Sequence, residues 1–582
     1  YRIGHSAKAR TMTTRQEWIR KIPNVIVGVL AGAVAAIVTA LVMALSRYWF
    51  GIMPVPESVP DRVAPLLDID TFFSMFGTYG GYNGLKQFGI MSGLRGIFAV
   101  GIIVGVVYAL VIESWYSRQS PRWFLGASRP AWIFITSAVL AVWIGFVIFL
   151  WPVLPANYIG LPYSTARIIS IVALLVWWAT FAGTVMLVYR TTTSRLARSQ
   201  AAPTPGSGPA EANDAGVVTT TFPDSNAVAP MSRPLSRRGI LSAAVGAALV
   251  YPLYELMKGF YNDATFFYDG RPYSGEGIQP ITPTGQFYSV TKNVIDPDVD
   301  RDLWQLEIRG AIDNDITMSF DDLQDYEQID QEATLMCISN RIGAGLFSNA
   351  NWRGIRLRDV LESAGVQDDA YEIKLTGADA FVDTFGMDYA LDENTLLVYE
   401  INGEPLPRIH GYPVRVVVPG LYGEKNVKWV TRIDVVTEDV QGFYEQQGWG
   451  PDFVPPTRSD IFAPRTFGAA QSATFREEIQ VGTQIEIRGR AFAADRGIRS
   501  VEVTTDDGAT WEPAEIYYPG TELTWSLWRH NWTPNQPGEV RVYSRAVDGA
   551  GEPQPSEPQG ITPQGARGYN IVTATVVGPL GV

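Results

Sequence analysis

The sequence predicts a multi-domain chain. An N-terminal α-helical membrane bundle is followed by an α+β domain and then by an immunoglobulin-like β-sandwich. Three observations predict it. Long charge-free apolar runs crowd the first third of the chain. Charge then divides sharply: through Met257 there are 20 Lys+Arg against 10 Asp+Glu, whereas from Lys258 onward there are 26 against 49. Beyond about residue 470, short strand-like runs alternate with turn signals.

The membrane elements come first. Residues 23–46, 96–112, 130–166 and 168–189 carry no Asp, Glu, Lys or Arg. A helix needs about 20 apolar residues to cross the hydrocarbon core. The runs therefore predict crossings near 24–46, 93–113, 131–151 and 167–189, with Pro152, Pro155 and Pro162 turning the end of the third run into a loop. Trp115, Trp132, Trp151 and Tyr189 fall near span ends, where aromatic belts form. Basic residues dominate the first 22 positions, the second-to-third connection (Arg118, Arg122, Arg129) and the stretch after the fourth span (Arg190, Arg195, Arg198). The positive-inside rule puts those segments in the cytoplasm. No paired intramembrane charges of the kind transporters use are present, so 1–199 reads as an anchor in membrane lipid or a docking platform. The only histidines are His5, His410 and His530, none of them in a span, and there is no CxxCH run. No haem is expected in this chain.

Residues 200–235 are rich in Ala, Pro, Gly, Ser and Thr without hydrophobic period, the composition of a flexible tether. In 236–258, Ser236-Arg237-Arg238-Gly239-Ile240-Leu241 precedes an apolar run. It reads either as a twin-arginine export signal or as the basic flank of a membrane helix. Both readings make 239–256 a fifth transmembrane helix. An odd number of crossings puts everything after Lys258 on the extracytoplasmic side of the cytoplasmic (inner) membrane, which makes the protein multi-pass with a periplasmic soluble part.

Residues 259–465 carry the α+β pattern. The run 303–309 alternates like a strand, 320–326 and 357–364 look like short helices, and 415–418 and 427–436 look like buried strands. In 466–582, strands are expected at 485–488, 500–504, 524–527, 540–546 and 571–577, with turns at Asp507-Gly508 and Asp548-Gly549. This acidic half argues against a nucleic-acid partner, whose phosphates it would repel, and favours a basic protein.

Cys337 is the only cysteine. An internal disulfide and a CxxC metal site are excluded. What remains is a buried inert thiol, or a thiolate acting as nucleophile or single metal ligand.

Six ordered blocks surround it. They are Phe287–Pro297 with Trp304–Gly310, Thr334–Asn340, Trp352–Leu361, Tyr399–Pro407, His410-Gly411-Tyr412-Pro413-Val414-Arg415, and Gly423–Trp429 with Gly442-Phe443-Tyr444. Together with Val501–Trp511 and Trp525–Trp532 they make residues 285–575 resemble the sulfite oxidase family of molybdopterin enzymes. The resemblance implies a sulfite-oxidase-like molybdopterin domain followed by a sandwich that often mediates a homodimer or larger complex. It implies a Mo-pyranopterin cofactor whose metal is bound by the Cys337 thiolate, a soft anionic ligand suited to a sulfur-rich centre. It also implies that His410, Arg415 and Lys428 bind the pterin phosphate, with Lys425 as competitor, and that Asn293 and Asn340 flank the pocket.

The chain departs from that family where substrate is held. Family members offer arginines and a tyrosine to an anionic substrate. The matching positions here carry Lys292, Ile342 and Val440, with Arg341 adjacent. Lys292 lacks the bidentate fork, and Ile342 and Val440 have no polar group. Sulfite is therefore disfavoured, and a less charged sulfoxide or N-oxide fits better, with Cys337, Arg341 and Lys292 as the catalytic set. The expected function is a membrane-anchored oxidoreductase catalysing oxygen-atom transfer. Its electrons would pass to or from a separate redox protein, a cytochrome c or a haem-bearing membrane subunit. The alternative is a structural or docking subunit of a larger membrane electron-transfer or photosynthetic complex.

Overall fold

The computed structural model describes residues 4–79, 82–112, 129–201, 278–464, 475 and 478–578, with Pro252 and Glu255 besides. The tether, the twin-arginine run and the fifth crossing expected at 239–256 otherwise lie outside the described residues.

Among the described residues, six α-helices precede the sheets: α1 (Gly4–Phe50), α2 (Val55–Val63), α3 (Ile69–Thr78), α4 (Tyr82–Val107), α5 (Arg129–Phe149) and α6 (Tyr163–Ala201). Among the described residues, four helical stretches are long and apolar enough to cross a membrane: Ile22–Phe50, Gly84–Leu110, Trp132–Phe149 and Tyr163–Thr193. Each contains or overlaps an expected span. The first, second and fourth run longer than expected because a lone charge such as Lys86, Arg95 or Arg167 interrupts an apolar run without interrupting backbone hydrogen bonding.

The chain divides into two compact units. The first draws on Tyr1–Leu45, Met91–Ile148 and Val172–Phe260, and its described residues are helical. Its core joins Val27, Ala31 and Ala35 of α1, Ile135 of α5, and Phe181, Val185 and Met186 of α6. Where α1 meets α4, a Cβ on Gly28 would stand 2.4 Å from the Gly105 carbonyl oxygen, and one on Gly32 only 2.0 Å from that of Gly101. Glycines at this spacing let the two backbones touch, which is how apolar helices associate without a hydrophobic driving force.

The second unit holds Ser46–Ile90, Phe149–Ile171 and Tyr261–Val582. The connections between the long helices thus fold with the sheets rather than with the helical core. Asn157 N–H donates to the Ala378 carbonyl at 2.7 Å, and the Asp298 and Asp300 amides donate to Tyr158 and Ile159. Gln447 Nε2 reaches the Ala64 carbonyl at 2.9 Å, and Ser164 Oγ donates to Glu307 at 2.8 Å.

Ten strands build the α+β part: β1 (Gln305–Gly310), β2 (Ile316–Ser319), β3 (Ile329–Met336), β4 (Phe347–Arg356), β5 (Glu372–Gly377), β6 (Val382–Gly386), β7 (Leu396–Ile401), β8 (Glu404–Pro405), β9 (Arg415–Val417) and β10 (Val430–Val436). They form one sheet of order β2-β1-β10-β5-β6 and another of order β3-β4-β7-β8, with β9 beside β7. Helix α7 (Leu357–Ala364) falls where expected. It buries Leu357, Val360, Leu361 and Ala364 at helical spacing and stops at Gly365, whose φ of 73° suits a left-handed cap. The helix expected at 320–326 is a 3₁₀ turn, Asp321–Asp325.

The C-terminal region is β-rich: β11 (Arg458–Ala463), β12 (Ile479–Gln480), β13 (Ile485–Phe492), β14 (Ile498–Thr504), β15 (Glu512–Pro513), β16 (Glu515–Tyr518), β17 (Ser526–Trp532), β18 (Gly538–Asp548) and β19 (Asn570–Val577). Its sheets run β11-β13-β17-β16 and β12-β19-β18-β14-β15. Ile461, Ile487 and Trp528 of one sheet share a core with Val501, Val542, Val572 and Ala574 of the other. Strand β11 pairs with β13 although it precedes the boundary expected at 465/466.

Candidate functional site

Strand β3 delivers Cys337 at its end, and the backbone then closes a loop. Cys337 N–H donates to the Leu346 carbonyl at 3.0 Å, and Asn340 N–H to the Cys337 carbonyl at 2.9 Å. The Asn340 side-chain oxygen accepts the Leu346 amide at 3.0 Å. Cys337 Sγ lies 3.1 Å from Ser339 Oγ.

Cys337 opens into a cavity of about 510 Å³. Ser339, Arg341, His410, Arg415, Glu424 and Lys428 line it, as do Lys292 and Asp379. Of the residues singled out from sequence, the cavity therefore gathers Cys337, Arg341, Lys292, His410, Arg415 and Lys428.

Three others stand outside the lining. Lys425 Nζ pairs with Asp383 at 2.7 Å and Glu445 at 2.8 Å. Asn293 Nδ2 donates to Asp379 at 2.8 Å. Asn340 is buried behind the loop it braces, its Nδ2 without a hydrogen-bond partner. Lys292 does reach the cavity, but its ammonium is taken: Asp61 of α2 accepts from it with both oxygens at 2.7 Å and the Asp379 carbonyl at 2.9 Å.

The charges in this cavity are poorly compensated. Arg415 donates only to carbonyls, those of His410, Asn426 and Val416, and its guanidinium faces the Trp352 ring. Lys428 donates to the carbonyls of Val290 and Ile409, 3.1 Å each. Neither cation has a carboxylate within ion-pair distance, although Asp296 and Asp379 act on Lys428 from farther off. Burial pushes Arg415 down to about 10 and Lys428 down to about 8. Burial and the Glu424 carboxylate push the Cys337 thiol up to about 12, so it is no free nucleophile near neutral pH. Burial also holds Glu424 up at about 8, and both its oxygens are buried outside hydrogen-bonding geometry.

Sequence reasoning missed two features. Glu424 lay inside a quoted block, but nothing in the pattern set a carboxyl among cations. The other is a set of aromatic rings from α3, Phe72, Phe73 and Phe76, which line the same cavity. The available signal was an aromatic cluster behind an Asp68 N-cap, whose side chain accepts the Thr71 amide at 2.9 Å.

The description "Oxidoreductase molybdopterin binding domain" matches residues 293–444, and "Mo-co oxidoreductase dimerisation domain" matches residues 468–561. The mitochondrial sulfite oxidase of Drosophila melanogaster is 31% identical over 337 residues, 49% of this chain and 58% of that protein. The human mitochondrial enzyme is 31% identical over 326 residues, 47% of this chain and 57% of that one. These two regions are sulfite oxidase family domains. The sulfite oxidase of Arabidopsis thaliana shares 28% identity over 48% of this chain and 84% of its own length. The chain thus spans under three fifths of the Drosophila and human proteins. Sulfane dehydrogenase SoxCD of Paracoccus pantotrophus superposes with a TM-score of 0.44 at 25% identity, over 48% of this chain and 76% of that one.

A sulfite oxidase family domain binds molybdopterin, and the residues present fit that group. Two buried cations without carboxylates ask for an anion, which a phosphate supplies. A lone sulfur at the cavity wall needs a positive centre opposite it to ionise, which a metal supplies. Asn340, in the loop that follows that sulfur, keeps a buried side-chain Nδ2 without a hydrogen-bond partner.

Proposed function

We propose that the protein is a membrane-anchored, molybdopterin-dependent oxidoreductase catalysing oxygen-atom transfer. The observation that carries this reading is one cavity lined by Cys337 together with the buried cations Arg415 and Lys428, neither of them ion-paired among the described residues. When bound, the Mo-pyranopterin supplies two-electron oxygen-atom exchange. Cys337 would be its protein ligand, and His410, Arg415 and Lys428 would hold its phosphate. Arg341, exposed at the cavity wall, would position the substrate oxygen. The balanced exchange is R₂S + H₂O against R₂SO, two protons and two electrons, with the electrons carried by a separate redox protein.

The four long apolar helices support anchoring in the cytoplasmic membrane, and the basic flanks support an extracytoplasmic site. The two C-terminal sheets sharing one core support an immunoglobulin-like sandwich. The match to a dimerisation domain supports a homodimer.

The test is metal and pterin analysis of natively expressed, full-length protein. Stoichiometric molybdenum is expected, falling together with oxygen transfer in Cys337→Ser. Protein that is folded and free of molybdenum would sink the enzymatic reading. It would favour the docking subunit, for which the occupied Lys292 ammonium is the supporting observation.

A further inference from the structure

The substrate side of the cavity is finished by a part of the chain outside both matched domains. Asp61 belongs to α2 and Phe72, Phe73 and Phe76 to α3, all between the first two long helices. Asp61 and Lys292 are buried together, their side chains 12% and 3% exposed. An ammonium has three donors, and these are met by two carboxylate oxygens and a carbonyl. Nothing is left for a substrate oxyanion, and Asp379 and Glu424 add acidic side chains to the same wall.

The opposite character appears in the rings. Phe73 lies 5.8 Å from Trp449, Trp449 lies 6.2 Å from Tyr444, and Tyr444 lies 5.9 Å from Phe381. Phe72 and Phe76 flank Phe73 at 5.7 and 6.0 Å. All six rings line the cavity that contains Cys337. Such a wall rewards apolar, planar surface and offers little to a small hydrated anion.

We propose that this inter-helix segment is a specificity element. Asp61 occupies the position in which an anionic substrate would pair with Lys292, and the α3 phenylalanines make the pocket select an uncharged organic sulfoxide or N-oxide bearing an apolar, preferably aryl, group. The proposal deepens the oxygen-transfer reading and rests on it for the reaction, but it concerns binding and is tested by binding.

The experiment is calorimetric titration of the full-length holoprotein, its molybdenum content measured alongside, with methyl phenyl sulfoxide, dimethyl sulfoxide and sulfate. Methyl phenyl sulfoxide should bind roughly 10-fold or more tighter than dimethyl sulfoxide, with sulfate weakest. Phe73→Ala should weaken the aryl ligand by roughly 10-fold and leave dimethyl sulfoxide unchanged. Phe76→Leu keeps the apolar packing and removes only a ring, so it gives the same readout if Phe73→Ala unseats α3. Asp61→Asn, near-isosteric, should tighten sulfate by roughly 10-fold by freeing the ammonium. The proposal is overturned if wild type prefers sulfate, or if ring and Asp61 variants with unchanged metal content bind all three ligands as wild type does. Absence of molybdenum would instead sink the oxidoreductase reading, and the ligand preferences would still decide this one.

Discussion

Asp460 accepts the Gly343 amide at 2.9 Å, and through that bond the C-terminal sheets hold the loop that follows Cys337. Asp460 is flanked by Arg458 at 3.0 Å and Arg490 at 3.7 Å, all three side chains 3% exposed or less. Both arginines also grip the loop: Arg458 donates to the Arg341 carbonyl at 3.2 Å and Arg490 to that of Ala344 at 2.6 Å. The β-rich region thus sets the geometry of the cysteine loop as well as folding on its own core.

Removing that carboxylate strands two buried guanidinium groups. Asp460→Ala is expected to cost about 3–5 kcal/mol, read as a lowered unfolding midpoint, with loss of the loop's fixed position. Burial opposes ionisation of Asp460, but Arg458, Arg490 and the Gly343 amide outweigh it and lower its pKa. A depressed folded pKa stabilises the fold above the unfolded value near 3.8, and that contribution is lost as pH falls through the folded value. Wild type should lose this contribution in acid below about pH 4, whereas Asp460→Asn should show a shallower acid dependence.

The buried ammonium of Lys428 gives a slope of the same sign in the alkaline range. Its folded pKa is about 8 against an ordinary 10.5. Between those values the unfolded chain holds a proton that the folded chain does not. The Lys428 contribution to stability of cofactor-free protein therefore rises as pH climbs from about 8 to about 10.5, while the raised Cys337 thiol opposes it above about pH 9. Thermal unfolding across that window should show wild type gaining stability relative to Lys428→Met, and less of that gain once a phosphate-bearing cofactor pairs the ammonium. An equal rise in Lys428→Met would refute the assignment.

Several residues that line the Cys337 cavity stand in local sequence patterns and several do not, for a physical reason. Cys337, His410, Arg415 and Lys428 sit in short motifs whose spacing is set by one turn or strand, so sequence neighbours become site neighbours. The two lysines of one motif part company: the 3₁₀ turn Gly423–Lys425 carries the Lys425 ammonium to Asp383 and Glu445, whereas Lys428, three residues on, lines the cavity. The Asp61–Lys292 pair spans 231 residues, and no periodicity encodes such a contact. The long apolar helices were legible because length and charge exclusion suffice. The docking of their connections on the sheets depends on individual carbonyls such as those of Ala64 and Ala378, which leave no trace in composition.

Cys337→Ser separates chemistry from folding. The side chain is half-buried at a cavity wall and its side-chain hydrogen-bond partner among the described residues is Ser339, so the hydroxyl is expected to change stability by about 1 kcal/mol or less. Oxygen transfer should fall to background, because a hard hydroxyl does not replace a soft thiolate. Unfolding midpoint and turnover measured on one preparation check both statements. Retained turnover would show that the sulfur is not a ligand.

The charge distribution predicts how electrons leave. From Lys258 onward acidic residues outnumber basic ones 49 to 26, and this region holds the Cys337 cavity. Opposite charge on a carrier protein steers encounter over distances comparable with the Debye length, about 10 Å at 0.1 M salt. Electron exchange with a basic cytochrome c should therefore slow by roughly tenfold or more as ionic strength rises from about 10 to about 200 mM, while exchange with a neutral small-molecule mediator stays flat. Stopped-flow rates with both carriers on the same holoprotein make the comparison. A flat cytochrome rate would mean that the carrier does not dock by charge on the acidic region, and it would direct the search for the partner to the helical unit instead.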